Sequence, residues 1–240
     1  MVLVSHTHRF IFFKSRKTAS TSVEAYFEPF CLPADSAPSG QFRDEYIGPT
    51  GIIGCRRGRA ERAEATWEAH MRASKILRLL GPLRFFRYFR FTTVRNPFAK
   101  YLSAFRYRMR NHPEILGAPF TEQHRAFNAW MQAGEGHPRD KNTFTIGPIR
   151  VANAYIRSEH LTADMAAVCE KLNLPLEAER LPHFKKMAAP DHHYSDYFDE
   201  TSRNIVARRH AWEIETFGYS FRGDAPPAPA PSTLPQGETS

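Results

Sequence analysis

The chain has 240 residues, 42% hydrophobic and 13% aromatic, enough apolar surface for a sizeable core, so an extended or disordered polypeptide is excluded and a globular α/β or α+β body is expected. A formal charge of +8 points to an anionic partner; nucleotide, sulfated or acidic sugar, nucleic acid and membrane surface all qualify, and charge alone does not choose among them. Cys31, Cys55 and Cys169 are odd in number, widely spaced and outside any CxxC or Cys/His pattern, which excludes a cysteine-based metal site and reads as reduced thiols in a cytoplasmic protein.

In chain order, the N-terminal stretch is interrupted by Ser5, His6, His8 and Arg9 and has no apolar run of the length that a signal peptide or membrane anchor requires. Phe10 to Phe13 has strand character. A basic, hydroxyl-rich turn from Lys14 to Ser22 follows, before an amphipathic run that begins at Val23 and ends near Pro29. Backbone N–H groups at a helix start lack intrahelical partners and the helix dipole is positive there. With Lys17, Thr18, Ser20, Thr21 and Ser22 beside them, the turn has the chemistry of an oxyanion cradle. Simple helix capping with a solvated Lys17 is the competing reading, and a second motif is needed to decide.

Cys31 to Arg62 reads as irregular structure with one short strand, and it contains the basic patch Arg56, Arg57, Arg59 and Arg62, either a solvated face or a contact for an anionic acceptor. The sequence from His70 has helical periodicity up to Gly81. Phe89 to Val94 reads as a buried strand that ends in Arg95-Asn96-Pro97. Pro97 fits a first helical turn, and Phe98, Tyr101, Leu102, Phe105 and Met109 form an apolar stripe behind it.

Between Asn111 and Arg139 a short helix is expected around Phe127, Trp130 and Met131, and Ile149 to Ser158 is a further strand candidate. Thr162 is expected to cap a helix through Leu172, and Asp199 or Thr201 to open a last helix that Gly218 closes. The neighbouring His192 and His193 do not have the spacing of a metal-ligand pair. This alternation of strand and helix predicts a parallel sheet covered on both faces, in one domain over residues 1–222, with a Pro/Ala-rich disordered tail over 223–240.

Two strand-to-helix junctions, Lys17-Thr18-Ala19-Ser20-Thr21-Ser22 and Val94-Arg95-Asn96-Pro97 followed by Ser103, together resemble the sulfotransferases that use 3′-phosphoadenosine 5′-phosphosulfate. The resemblance is closest to the carbohydrate branch with the heparan 2-O and chondroitin enzymes and many small bacterial members, and it extends with gaps from Phe10 to Tyr219. It implies the P-loop-like α/β fold of that family, a central parallel sheet flanked by helices. It also implies that Lys17 contacts the bridging and sulfuryl oxygens, that Thr18, Ala19, Ser20, Thr21 and Ser22 line the 5′ side, and that Arg95 and Ser103 hold the 3′-phosphate. A histidine base between the two motifs corresponds to His70. No metal is implied, and the product is 3′,5′-phosphoadenosine. Arg16 stands where the family commonly has proline, and Ala19 or Ser20 where glycine is common, so this chain departs from the pattern within the first turn.

The implied acceptor is a hydroxyl of a glycan or glycolipid, without a membrane anchor and without nucleic acid as partner. Lys185 and Lys186 are basic residues near that acceptor or the nucleotide, or a solvated loop face; for Glu159, beside Arg157, a structural ion pair is expected. Two rivals remain at the level of sequence. A P-loop nucleotide kinase would require GxxxxGK[ST], whereas here Lys17 precedes the Ser/Thr run. A non-enzymatic polyanion or nucleic-acid module would explain the charge, but no helix-turn-helix, RNP or zinc-finger pattern accompanies it.

Overall fold

The computed structural model describes residues 2–36, 43–56, 64–177, 179 and 190–223. Strands β1 (Leu3–Ser5) and β2 (Phe10–Phe13) precede helix α1 (Ser20–Phe27), strands β3 (Tyr46–Ile47) and β4 (Gly51–Ile53), and helices α2 (Ala73–Leu80) and α3 (Pro82–Arg87). Strand β5 (Phe89–Val94) leads into α4 (Pro97–Arg108), α5 (Pro113–Leu116) and α6 (Phe120–Ala133). Then come α7 (Lys141–Phe144), β6 (Thr145–Ile146), β7 (Ile149–Arg150), β8 (Ala154–Arg157), α8 (Leu161–Leu172), α9 (Glu200–Arg209) and α10 (Ala211–Phe217). Contacts divide the chain into two compact units, Met1–Val94 with Arg139–Lys185, and Arg95–Pro138 with Lys186–Ser240.

The first unit is a mixed α/β body. Its six-stranded sheet has the order β3-β4-β1-β2-β5-β8. β2, β5 and β8 are parallel, with Phe12 opposite Phe91 and Thr92 opposite Tyr155, whereas β1 pairs antiparallel with both β2 and β4. The expected parallel sheet is therefore the half that carries the junctions, and the N-terminal residues add an antiparallel half to it. Alternation sends Phe10 and Phe12 to one face, where with Phe91 and Ile156 they meet Val23 and Phe27 of α1 and Met165 and Val168 of α8. Phe13 faces the other way, against Phe85 of α3 at 6.1 Å between ring centroids. Burying about a dozen such side chains at roughly 1.5–3 kcal/mol each gives the sheet a rigid centre from which β2 and β5 emerge.

The second unit is helical. Phe98, Tyr101 and Phe105 of α4 pack with Phe127 and Trp130 of α6, Tyr197, and Val206 of α9. The helix expected around Phe127 is 14 residues long rather than short, because Pro119 sits at its N-cap and Gly134 ends it at φ 72.

Other local expectations are revised. Among the described residues of the segment after Cys31, two short strands are present rather than one. The Ile149-to-Ser158 candidate splits, since Gly147 at φ 57 turns β6 back onto β7 as a separate hairpin before β8 begins. Thr162 caps nothing: α8 starts at Leu161, and its first turn is held by Asp164, whose carboxylate accepts from the Arg157 backbone and guanidinium at 2.8 Å. Asp164 is thus the structural partner of Arg157 beside Glu159. The last helix breaks at His210 into α9 and α10, while Asp199 caps α9 by accepting from Ser202 N–H at 2.7 Å. Cys31, Cys55 and Cys169 are free and buried. Lys185, Lys186, Arg57, Arg59, Arg62 and the segment 224–240 lie outside the described residues.

Candidate functional site

The turn between β2 and α1 is held by hydroxyls. Ser15, Thr18 and Thr93 side chains form a buried triangle, with Ser15 Oγ to Thr18 Oγ1 at 2.6 Å, Thr18 Oγ1 to Thr93 Oγ1 at 2.6 Å and Ser15 Oγ to Thr93 Oγ1 at 2.7 Å. Ser15 Oγ also donates to the Thr93 carbonyl at 2.6 Å, and Ser20 Oγ donates back to the Ser15 carbonyl at 2.7 Å. Asp140, buried, accepts from the Arg16 backbone N–H at 3.0 Å. The turn is therefore tied to the end of β5 and to a residue far along the chain. Thr18 and Ser20 direct their hydroxyls inward, so their contribution outward is through backbone N–H groups.

Backbone conformation does the rest. Among the described residues, non-glycine residues with positive φ are Arg9, Lys17, Ala19, His70 and Asn173, and three of these belong to the candidate site. Lys17 at φ 59 and Ala19 at φ 57 occupy the left-handed region without a glycine, at a cost of about 1–2 kcal/mol each. Backbone that alternates with the left-handed region is one way in which successive N–H groups form an anion-binding concavity. The Ala19 carbonyl accepts from Ser22 and Val23 N–H, and the N–H groups of Ser20 and Thr21 fall in the first turn, where an α-helix offers no acceptor. Lys17 and Thr21 are half-buried and Ala19 is exposed.

Lys14 belongs to a different network. Its Nζ lies 2.5 Å from Glu24 Oε2, and Arg56 Nη1 reaches the same oxygen at 3.2 Å. Arg56 also reaches Glu28 at 3.8 Å, and Arg43 pairs with Glu28. Burial would raise the Glu24 carboxyl, yet the Lys14 ammonium, with Arg56 beyond it, brings it down to about 2. Arg56, read in the sequence as part of a surface patch, is an inward structural cation.

His70 lies outside α2, three residues before it, at φ 58. Its Nδ1 is 3.0 Å from the Lys14 carbonyl oxygen. A carbonyl only accepts, so Nδ1 carries the proton and the basic lone pair is at Nε2. Burial, then surrounding positive charge that includes Arg16 and Lys14, holds the imidazole pKa well below its usual 6.5. His70 is thus an imidazole that favours its neutral form, clamped to the first residue of the turn.

The second junction lies in the helical unit. Asn96 Oδ1 accepts from Phe98 N–H at 3.0 Å and caps α4, and its Nδ2 donates to Tyr194 Oη at 3.1 Å and to the Ser220 carbonyl at 3.0 Å. Pro97 takes the first helical position. Arg95 precedes this cap and is half-buried, as is Ser103 on the flank of α4.

Ser15, Thr93 and Asp140 carry the first turn, and sequence reasoning missed them. Ser15 stood within the motif; Thr93 and Asp140 had no local signal, since their partners are 75 to 124 residues away. A groove of about 730 Å³ lined by Phe120, His124, Arg125 and Gln132, in the helical unit, contains none of the candidate residues.

No curated protein and no solved structure matches the chain. A family model described as the Sulfotransferase family matches residues 1–220, a span that takes in both junctions, His70 and the whole sheet. A match over that span places the chain in a family, and the chain belongs to the sulfotransferase family.

Proposed function

We propose that the protein transfers the sulfuryl group of 3′-phosphoadenosine 5′-phosphosulfate to a hydroxyl of a glycan or glycolipid, in the cytoplasm of a bacterium, with His70 as general base. The observation that carries this reading is the bond from His70 Nδ1–H to the Lys14 carbonyl, which ties the imidazole to the start of the turn that holds Lys17 and leaves Nε2 as its basic nitrogen. The residue types of each junction, taken separately, support this reading: the first turn has a lysine, left-handed backbone and first-turn N–H groups suited to a 5′-phosphosulfate, and Arg95 with Ser103 has a guanidinium and a hydroxyl suited to a 3′-phosphate.

In the proposed reaction His70 Nε2 takes the proton of the acceptor hydroxyl as its oxygen attacks sulfur in line. The bond between sulfur and the bridging oxygen breaks, and 3′,5′-phosphoadenosine leaves with the electron pair. Negative charge grows on that bridging oxygen, so Lys17 and the turn N–H groups stabilise the transition state more than the bound donor.

His70→Ala tests the reading. Transfer from labelled donor is expected to fall by at least ~10²-fold with binding of 3′,5′-phosphoadenosine near normal; turnover retained at the wild-type rate sinks it. Because the imidazole is held below its usual pKa and must be neutral to act, activity is expected to stay flat from neutral pH down past 6.5 and to fall only at lower pH.

A further inference from the structure

We infer that the α2–α3 helical hairpin docks the protein on an anionic lipid bilayer. Leu83 is 68% exposed, Phe86 58% and Leu79 39%, the first two one turn apart on the same side of α3. Arg78, Arg84 and Arg87 are exposed around them. From Ala69 to Pro113 the sequence contains neither Asp nor Glu, so an apolar tip is ringed by arginine with no carboxylate on its own segment. Phe and Leu among arginines on a short amphipathic element is the chemistry of the headgroup boundary, where the rings and branches sink below the phosphates and the guanidinium groups pair with them.

The exposure is built, not frayed. Arg90, buried on β5, donates from Nη1 to the carbonyls of Phe85, Phe86 and Tyr88 at 2.8, 2.9 and 2.8 Å, and from Nε to the Val151 carbonyl at 2.6 Å. These bonds satisfy the last carbonyls of α3 and lock its exit. Phe85 is fully buried against Phe13, so the neighbouring Phe86 is turned outward by a fixed anchor. Gly81, at φ 82, makes the turn between the two helices, and a side chain there would meet nothing. The protein thus holds a rigid apolar and cationic prong in water.

This inference does not depend on sulfuryl transfer, and its test needs no nucleotide. The full chain is sedimented with vesicles of phosphatidylcholine alone and with vesicles containing 30% phosphatidylglycerol in about 0.1 M salt, near the ionic strength at which the Debye length is ~10 Å. Binding is expected to the anionic vesicles only, to weaken at least tenfold for Leu83→Ser/Phe86→Ser with unchanged circular dichroism, and to weaken similarly for Arg84→Ser/Arg87→Ser. Arg125→Ser/Arg208→Ser, which removes equal charge from exposed positions of the helical unit, is expected to leave binding unchanged. Equal binding to both vesicles, retained binding by the Leu83/Phe86 variant, equal loss in the Arg125/Arg208 control, or a dimer that this variant dissociates while vesicles are ignored, would each overturn the proposal.

Discussion

The two strand-to-helix junctions differ in construction. The turn after β2 places left-handed Lys17 and Ala19 beside a buried hydroxyl triangle, so its shape depends on partners elsewhere in the sheet unit. The turn after β5 is closed by an asparagine cap and a proline at the first helical position, with Asn96 itself held by Tyr194 and the Ser220 carbonyl, and its backbone stays out of the left-handed region. A backbone with two left-handed non-glycine residues is strained and needs outside support. The second junction, with no left-handed residue, is held by a side-chain cap that is itself anchored at a distance.

The largest expected effect is on the buried ion network at the entry to the first junction. Glu24→Ala leaves the buried Lys14 ammonium with Arg56 and no shared carboxylate, and is expected to cost about 3–5 kcal/mol by chemical denaturation. The same carboxylate gives a pH signature. Its folded pKa lies near 2, below the unfolded value, so its contribution is complete above about pH 4.5 and is lost as the pH falls toward 2. Glu24→Gln is expected to flatten that part of the stability curve.

The chemical division comes next. Lys17→Ala is expected to lower kcat by ~10²–10³-fold, as for loss of a transition-state donor. Arg95→Ala is expected to act on binding, and to abolish the preference for 3′,5′-phosphoadenosine over adenosine 5′-phosphate in calorimetry. If Lys17→Ala alone removed that preference, the assignment of the two junctions to the two ends of the nucleotide would be reversed.

A smaller contrast lies in the supports. Thr93→Val removes one corner of the triangle and is expected to cost ~1–3 kcal/mol together with several-fold in nucleotide affinity. Asn96→Ala is expected to cost about 1 kcal/mol, the ordinary value for a cap. The smallest effect has the opposite sign: Ala19→Gly relieves a left-handed alanine and is expected to change stability by up to ~1 kcal/mol in the favourable direction, read as a rise in Tm.

What could be read from the sequence follows the same division. Phe10–Phe13, Phe89–Val94 and the helix opened by Pro97 are legible because apolar runs and punctuating residues act within a few positions. His70 was reached through its place between two motifs, but the periodicity put it on a helix, and its left-handed backbone and bond to Lys14 left no mark on the spacing. Thr93 reads only as a β-branched strand residue and Asp140 as a loop aspartate. Their roles arise from pairings that the sheet creates, and no local pattern encodes which distant hydroxyl or N–H a side chain will meet. Arg56 misled for the same reason, since a cation in an arginine-rich stretch looks solvated until its buried carboxylate is known.

The sheet order also sets a timetable. β1 and β2 can pair as soon as the first hairpin is made, and β4 joins β1 next, so the antiparallel half grows from local contacts. The turn after β2 is among the first segments synthesised, yet its hydroxyl triangle waits for Thr93 and its Arg16 anchor for Asp140. During synthesis the turn after β2 therefore remains an unlocked loop until more than half the chain has emerged, and a chain stopped after β5 would contain Lys17 and His70 without the carboxylate that fixes the turn's entry.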